Sequence, residues 1–176
     1  MKTTVVYESM FGNTRQIAEA IADGVRSSGE VVVLPVSDAP ESTADSDLLI
    51  VGAPTHTHGL SRPESRIEAG QWADDPAKDL QLEPNAEGLG VREWLASVTA
   101  VAPRFAAFDT RADIARLLSG SAAAKIEKNL HKLGSNPITA SESYLVDKQS
   151  RLEIGELERA REWGRQIGAT LGSVRL

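Results

Sequence analysis

The 176-residue chain contains no cysteine. That excludes a disulfide framework, a thiolate metal site and a cysteine nucleophile. No apolar run approaches the roughly 20 residues needed to span a membrane as a helix. Basic charge is scarce in the first half: residues 1–88 hold 15 acids and 6 bases, while residues 89–176 hold 10 acids and 13 bases. An acidic half argues against nucleic acid as the main partner, because phosphate contacts need clustered Lys and Arg. It leaves room for a partner protein with a basic docking surface. A solvated acidic surface that only maintains solubility is the plainer alternative. Met1–Val6 enters a strand pattern almost at once, so no signal peptide is expected there and the expected compartment is the cytoplasm.

What is present reads as globular: 41% hydrophobic and 25% charged residues. The length suits one domain with a real core, residues 1–176, expected as a monomer. Short β-rich runs alternate with helical periodicity. Thr3–Tyr7, Val31–Val36 and Leu48–Gly52 read as strands, the third apolar enough to be buried on both faces. Phe105–Phe108 is a weaker fourth strand, and Ile138–Val146 a fifth of mixed polarity near an edge. Helices are expected after Thr14 with Gly29 as a stop, over Val91–Val101, over Ala122–Leu133 with Ser121 as N-cap and Gly134 at the end, and from about Gly155 to Leu171. The alternation implies right-handed crossovers and a parallel sheet covered on both faces.

Residues 60–88 break the rhythm. They are polar, contain Pro63, Pro76, Pro84 and Gly70, and are expected to form a long insertion: a functional lid or a tolerated surface loop. Ile67, Trp72, Leu80 and Leu82 suggest that part of it packs down.

Ligands of an open parallel sheet bind beyond the carboxyl ends of its strands. The first segment there is Ser9-Met10-Phe11-Gly12-Asn13-Thr14. Gly12 permits close backbone approach, and the helix start behind it presents unpaired amides and the positive end of a dipole. The loop lacks a Gly-Lys-Ser/Thr and a Gly-x-Gly-x-x-Gly, so neither a triphosphate loop nor a dinucleotide cradle is expected. A plain turn capped by Asn13 or Thr14 is the alternative.

Val5-Val6-Tyr7-x-Ser9-x-x-Gly12-x-Thr14-x-x-x-Ala18-x-x-Ile21 resembles the N-terminal signature of the flavodoxin family. The resemblance implies an α/β fold: a flavodoxin-like doubly wound five-stranded parallel sheet of order 2-1-3-4-5 with helices on both faces. It also implies flavin mononucleotide (FMN), its phosphate held by residues 9–14. Phe11 departs from the usual Thr or Ser and looks more like the flavodoxin-like quinone reductases. Pro54-Thr55-His56-Thr57-His58-Gly59 corresponds to the loop along one side of the flavin ring, with His56 and His58 in place of large aromatics and Gly59 where the family's backbone turns. A metal on the His-x-His pair is disfavoured, since His131 lies on a distant helix; a general acid or base role stays open. Phe108-Asp109-Thr110-Arg111 is similar to the start of the second flavin loop, which would meet the pyrimidine edge. The usual Tyr beyond it is missing, so Arg111 is a candidate to lie over the ring, with a salt bridge to Asp109 or Asp113 as its plainer role.

Two missing stacks would weaken FMN by roughly 1–3 kcal/mol, or about 5- to 150-fold. Trp72 is a candidate to restore one. Trp94 and Trp163 read as core, and Lys125, Lys128, Lys132, Arg159, Arg161 and Arg165 as solvated helix faces. The implied function is electron transfer with redox partner proteins. An FMN-dependent NAD(P)H:quinone-type reductase and a non-redox module on a decayed flavodoxin scaffold remain alternatives, so whether the chain is an enzyme stays open.

Overall fold

A computed structural model describes residues 1–173, and every side chain among them except that of Arg116. Its centre is a parallel sheet of β1 (Lys2–Tyr7), β2 (Glu30–Pro35), β3 (Leu48–Pro54), β4 (Arg104–Ala112), β5 (Asn136–Pro137) and β6 (Glu142–Val146). The order is β2-β1-β3-β4-β5, with β6 also paired to β4. Helices α1 (Asn13–Val25), α2 (Pro63–Ala73), α3 (Val91–Ser97), α4 (Arg116–Ser119), α5 (Ala122–Lys132) and α6 (Glu156–Ser173) connect or follow the strands.

The continuous apolar run of β3 has a simple cause. Leu48 and Ile50 face a core shared with α1 and α6, while Leu49 and Val51 face one shared with α3 and α5. Two covered faces leave no position on the strand for a polar side chain. The α1–α6 packing is close. A Cβ on Gly24 would fall 2.1 Å from the Arg161 carbonyl, and one on Gly164 would fall 2.2 Å from that of Ile21. Ser121 caps α5 by accepting the Ala124 amide at 3.1 Å, and Gly134, at φ 86°, follows its end.

Several expectations are corrected. The expected Phe105–Phe108 strand is the longest in the sheet, because β4 lies between β3 and the β5/β6 edge. The expected fifth strand is split in two: β5 pairs with Arg104 and Phe105, and β6 with Phe108–Ala112. The break falls after Pro137, whose missing amide cannot join the ladder. The third helix ends at Ser97 rather than Val101. Residues 60–88 are not a bare loop: α2 occupies Pro63–Ala73, started by Pro63 in its first turn and by a hydrogen bond from the Arg62 amide to Ser65 Oγ at 2.9 Å. Its Arg66, Ala69 and Gly70 are buried, whereas Ile67 and Trp72 are half exposed. Arg159, Arg161 and Arg165 lie on a solvated face of α6, as read from their spacing, and form surface ion pairs there. Trp94 and Trp163 are core side chains, as read from their spacing.

Candidate functional site

β1 and β3 are neighbours, and the connections after them leave to opposite faces of the sheet. A crevice therefore opens between their carboxyl ends. It is a cavity of about 460 Å³, bounded by the β1–α1 loop, the end of β3, α2, the end of β4 and the turn after β6.

The β1–α1 loop is shaped for close approach. Gly12 precedes α1 at φ 89°, a left-handed conformation that suits glycine. Its amide donates to Ser9 Oγ at 3.1 Å, which curls the loop. No side chain caps α1. The first intrahelical bond runs from the Gln16 amide to the Gly12 carbonyl, so the amides of Asn13, Thr14 and Arg15 have no acceptor within the helix. The expected alternative, a turn capped by Asn13 or Thr14, is thus overturned. Asn13 Nδ2 instead donates to the Ser150 carbonyl at 2.6 Å, and Thr14 Oγ1 shares a 2.8 Å hydrogen bond with Thr110 Oγ1. Two hydroxyls sharing one bond keep one proton to offer a ligand. Ser9, Met10, Phe11, Asn13 and Thr14 all line the cavity.

Pro54, Thr55, His56 and Thr57 line it as well. The chain then reverses tightly: His56 and Gly59 exchange both backbone hydrogen bonds, at 2.8 and 2.9 Å. The two residues between them, Thr57 at φ 42° and His58 at φ 70°, are both left-handed. Hairpin turns of this shape prefer Asn-Gly, so the Thr-His pair stores strain. Gly59 closes this turn rather than forming its centre. Its amide and carbonyl are engaged with His56, and the positive φ angles fall one and two residues earlier. The turn is held from outside by Gly120, at φ 76°, where a Cβ would fall 2.3 Å from His58 Cα.

Phe108–Arg111 are strand rather than loop. Phe108 and Asp109 point away from the cavity. The Phe108 ring lies across Gly52, whose added Cβ would come within 2.0 Å of it. Asp109 is fully buried and accepts from Ser121 Oγ at 2.7 Å and the Ala123 amide at 3.0 Å, which anchors the start of α5. Thr110 and Arg111 do line the cavity. The expected Arg111 salt bridge is replaced by a 2.8 Å bond to the Ile114 carbonyl and a longer one to that of Ala112, while its buried Nε has no partner.

Two walls are absent from the three segments singled out in the sequence. Ser65, Glu68, Ala69 and Trp72 of α2 form one, and Val146, Asp147, Lys148 and Ser150 form the other. The first had a signal in Trp72. The second had none, because the turn at 147–151 owes its shape to Asp147 accepting the Gln149 and Arg151 amides. The cavity wall is not uniformly acidic: Glu68 and Asp147 are joined by Arg111 and Lys148.

Behind the cradle, Glu8 is buried and accepts from the Val91 amide at 2.8 Å and from Ser61 Oγ. Arg66, itself buried, donates to Ser61 Oγ at 2.8 Å and pairs with Glu93 at 3.1 Å. Burial pushes the Glu8 carboxyl above its ordinary value, against its hydrogen bonds and Arg66. His56 is shifted down by burial, with Arg66 adding to the effect and Glu68 opposing it. Its imidazole is therefore neutral at pH 7. Among the described residues, no group of three or more His, Asp or Glu is arranged to hold a metal ion, and no helix is long and apolar enough to cross a membrane.

The sheet order, the crevice and the uncapped helix start define an open α/β protein with a helix N-terminus opening at its switch point. The chain belongs to the flavodoxin family, whose profile matches residues 5–96, and membership implies a flavin cofactor. Its fold is similar to a flavodoxin from the domain Archaea (19% identity, 98% of this chain and 99% of that one, TM-score 0.64). It is also similar to Flavodoxin 1 from Bacillus cereus (18%, 95% and 97%, TM-score 0.65). A third similar structure is the WrbA-like flavodoxin from Agrobacterium tumefaciens (19%, 98% and 98%, TM-score 0.58). No curated protein sequence matches the chain.

Proposed function

We propose that this chain binds FMN in the 460 Å³ cavity and acts as an electron-transfer flavodoxin. The observation that carries the reading is the uncapped start of α1 opening into that cavity behind Gly12. A phosphate dianion suits three free amides at the positive end of a helix dipole. The volume lies within the range of cofactor clefts.

Each residue has a task in this reading. The Asn13, Thr14 and Arg15 amides hold the phosphate, with one hydroxyl proton from the Thr14–Thr110 pair and that of Ser9. Trp72 and Phe11 supply the aromatic surface that His56 and His58 lack. Thr55, His56 and Thr57 border the ring from β3. The backbone beside Thr110 is less available than the family resemblance implied, since its carbonyl already accepts the Thr55 amide at 2.8 Å. Arg111 supplies positive charge at that border instead. Phe108, Asp109 and Gly59 act from behind, by shaping β4, α5 and the turn. The bound flavin supplies the redox chemistry, and the protein binds it, orients it and limits its access to water. Redox partners meet its exposed edge, and the exposed acids after Trp72 (Asp74 and Glu87 among them) suit basic partner surfaces.

The test separates carrier from enzyme. Protein loaded with FMN and freed of excess is mixed with NAD(P)H and a quinone. A carrier retains one flavin per chain and gives no steady turnover above free FMN. Steady turnover supports the quinone-reductase reading, and no retained flavin supports the non-redox module.

A further inference from the structure

A second, larger cavity of about 860 Å³ lies beside the flavin cavity. The two share His56, Thr57, Ser65 and Glu68, so the strained turn and one face of α2 form the partition between them. This second cavity is lined by Arg62, Arg92 and Lys125, with His58 and Asn129 as further donors.

The three cations are among the described basic residues that no carboxylate pairs with. Among the described residues, Arg15, Arg26, Arg66, Arg151, Arg159, Arg161, Arg165 and Lys2 all form ion pairs, whereas Arg62, Arg92 and Lys125 form none. Arg92 is nevertheless held in place. Its Nε donates to the Ser61 carbonyl at 2.8 Å and its Nη2 to that of Leu60 at 2.6 Å. These are neutral acceptors, so the charge stays uncompensated while the geometry is fixed. The Lys125 stem lies along Gly59, 3.4 Å from where a Cβ would be. A held guanidinium and an ammonium facing one cavity form a ready anion site. The carboxylates on the wall, Glu64 and Glu68, both come from α2. They set a direction: an anionic group is drawn towards α3 and α5.

The turn that both cavities share adds a further sign. Thr57 and His58 adopt left-handed angles that a Gly would hold without strain, and the His58 side chain lines the second cavity. Strain of this kind persists where the surrounding structure over-determines it, and it clusters at ligand sites.

We propose that this second cavity binds a small polyanion bearing phosphate or carboxylate groups, held by Arg92, Lys125 and Arg62. The site is distinct from the α1 cradle and does not depend on flavin binding there. Its occupant sits against the turn that borders the flavin cavity.

The test uses 15N-labelled protein with the α1 cradle filled by FMN, titrated with inorganic pyrophosphate and, separately, with citrate. Amide shifts that saturate at Thr57–Leu60, Lys125 and Asn129, with Ser9–Thr14 unmoved, are the expected result. Pyrophosphate preferred over citrate identifies a phosphate-bearing occupant, and the reverse a carboxylate-bearing one; either supports the site. Lys125→Gln, which breaks no hydrogen bond in the structure, is expected to weaken binding about tenfold. Arg92→Gln is expected to weaken it further. No saturating shift by roughly 10 mM of either anion overturns the proposal, as does binding unchanged by Lys125→Gln. If FMN does not bind, the same titration is run without it. Shifts confined to Ser9–Thr14 then overturn this proposal, whereas shifts at 57–60 uphold it although the flavin reading has failed.

Discussion

Thr14 Oγ1 and Thr110 Oγ1 lie 2.8 Å apart, both side chains buried, at the point where the α1 cradle meets the end of β4. This bond ties two segments 96 positions apart in sequence. Replacing either residue with Val keeps the shape and strands the other hydroxyl. Thr14→Val and Thr110→Val are each expected to cost about 1 kcal/mol of stability, read by denaturant unfolding. FMN affinity is expected to fall about fivefold, since the remaining hydroxyl loses its orientation.

Trp72 tests the stacking surface. It is 45% exposed, so Trp72→Ala should leave the midpoint of thermal unfolding nearly unchanged. Flavin affinity should fall about 2- to 13-fold if the ring stacks. Unchanged affinity would remove Trp72 from the site.

The α1–α6 contact tests the fold apart from the site. Gly164→Ala drives a methyl to 2.2 Å from a backbone carbonyl that cannot swing away. A loss of about 1–3 kcal/mol or more is expected. Flavin affinity, measured where the variant is still folded, should not change.

His56 sets a pH dependence. Burial lowers its folded pKa below the unfolded value of about 6.5. The unfolded chain therefore takes up a proton first as pH falls. Stability attributable to His56 is fully present above about pH 6.5 and declines as pH drops through the interval down to the folded pKa. His56→Gln should flatten the stability-against-pH curve in that interval. An equally steep decline in the variant would assign the slope to other groups.

The first three strands and the turn at Gly12 were legible from local patterns, and the order of the sheet from the family resemblance over residues 5–21. The apolar run at Leu48–Gly52 and the Gly12 turn each carry their own physics. The extent of β4 was not, since Asp109, Thr110 and Arg111 look like loop residues. Asp109 is buried only because Ser121 and the Ala123 amide, distant in sequence, satisfy one of its oxygens. Helix α2 was hidden by the polarity of its exposed face; its anchor, Arg66, is a buried charge satisfied by Ser61 and Glu93. Such long-range satisfaction leaves no periodic trace. The wall at 146–150 was missed for the same reason, because a split edge strand and an Asp147 turn bring it to the cradle.

The uncapped start of α1 makes the most direct claim. Purified protein titrated into FMN, with flavin fluorescence followed throughout, should quench it saturably at one flavin per chain. Gly12→Glu, which adds bulk and negative charge at a left-handed position, should abolish the quenching while the protein stays folded. No quenching by the unaltered protein at high micromolar concentration, or equal quenching by Gly12→Glu, would contradict the account.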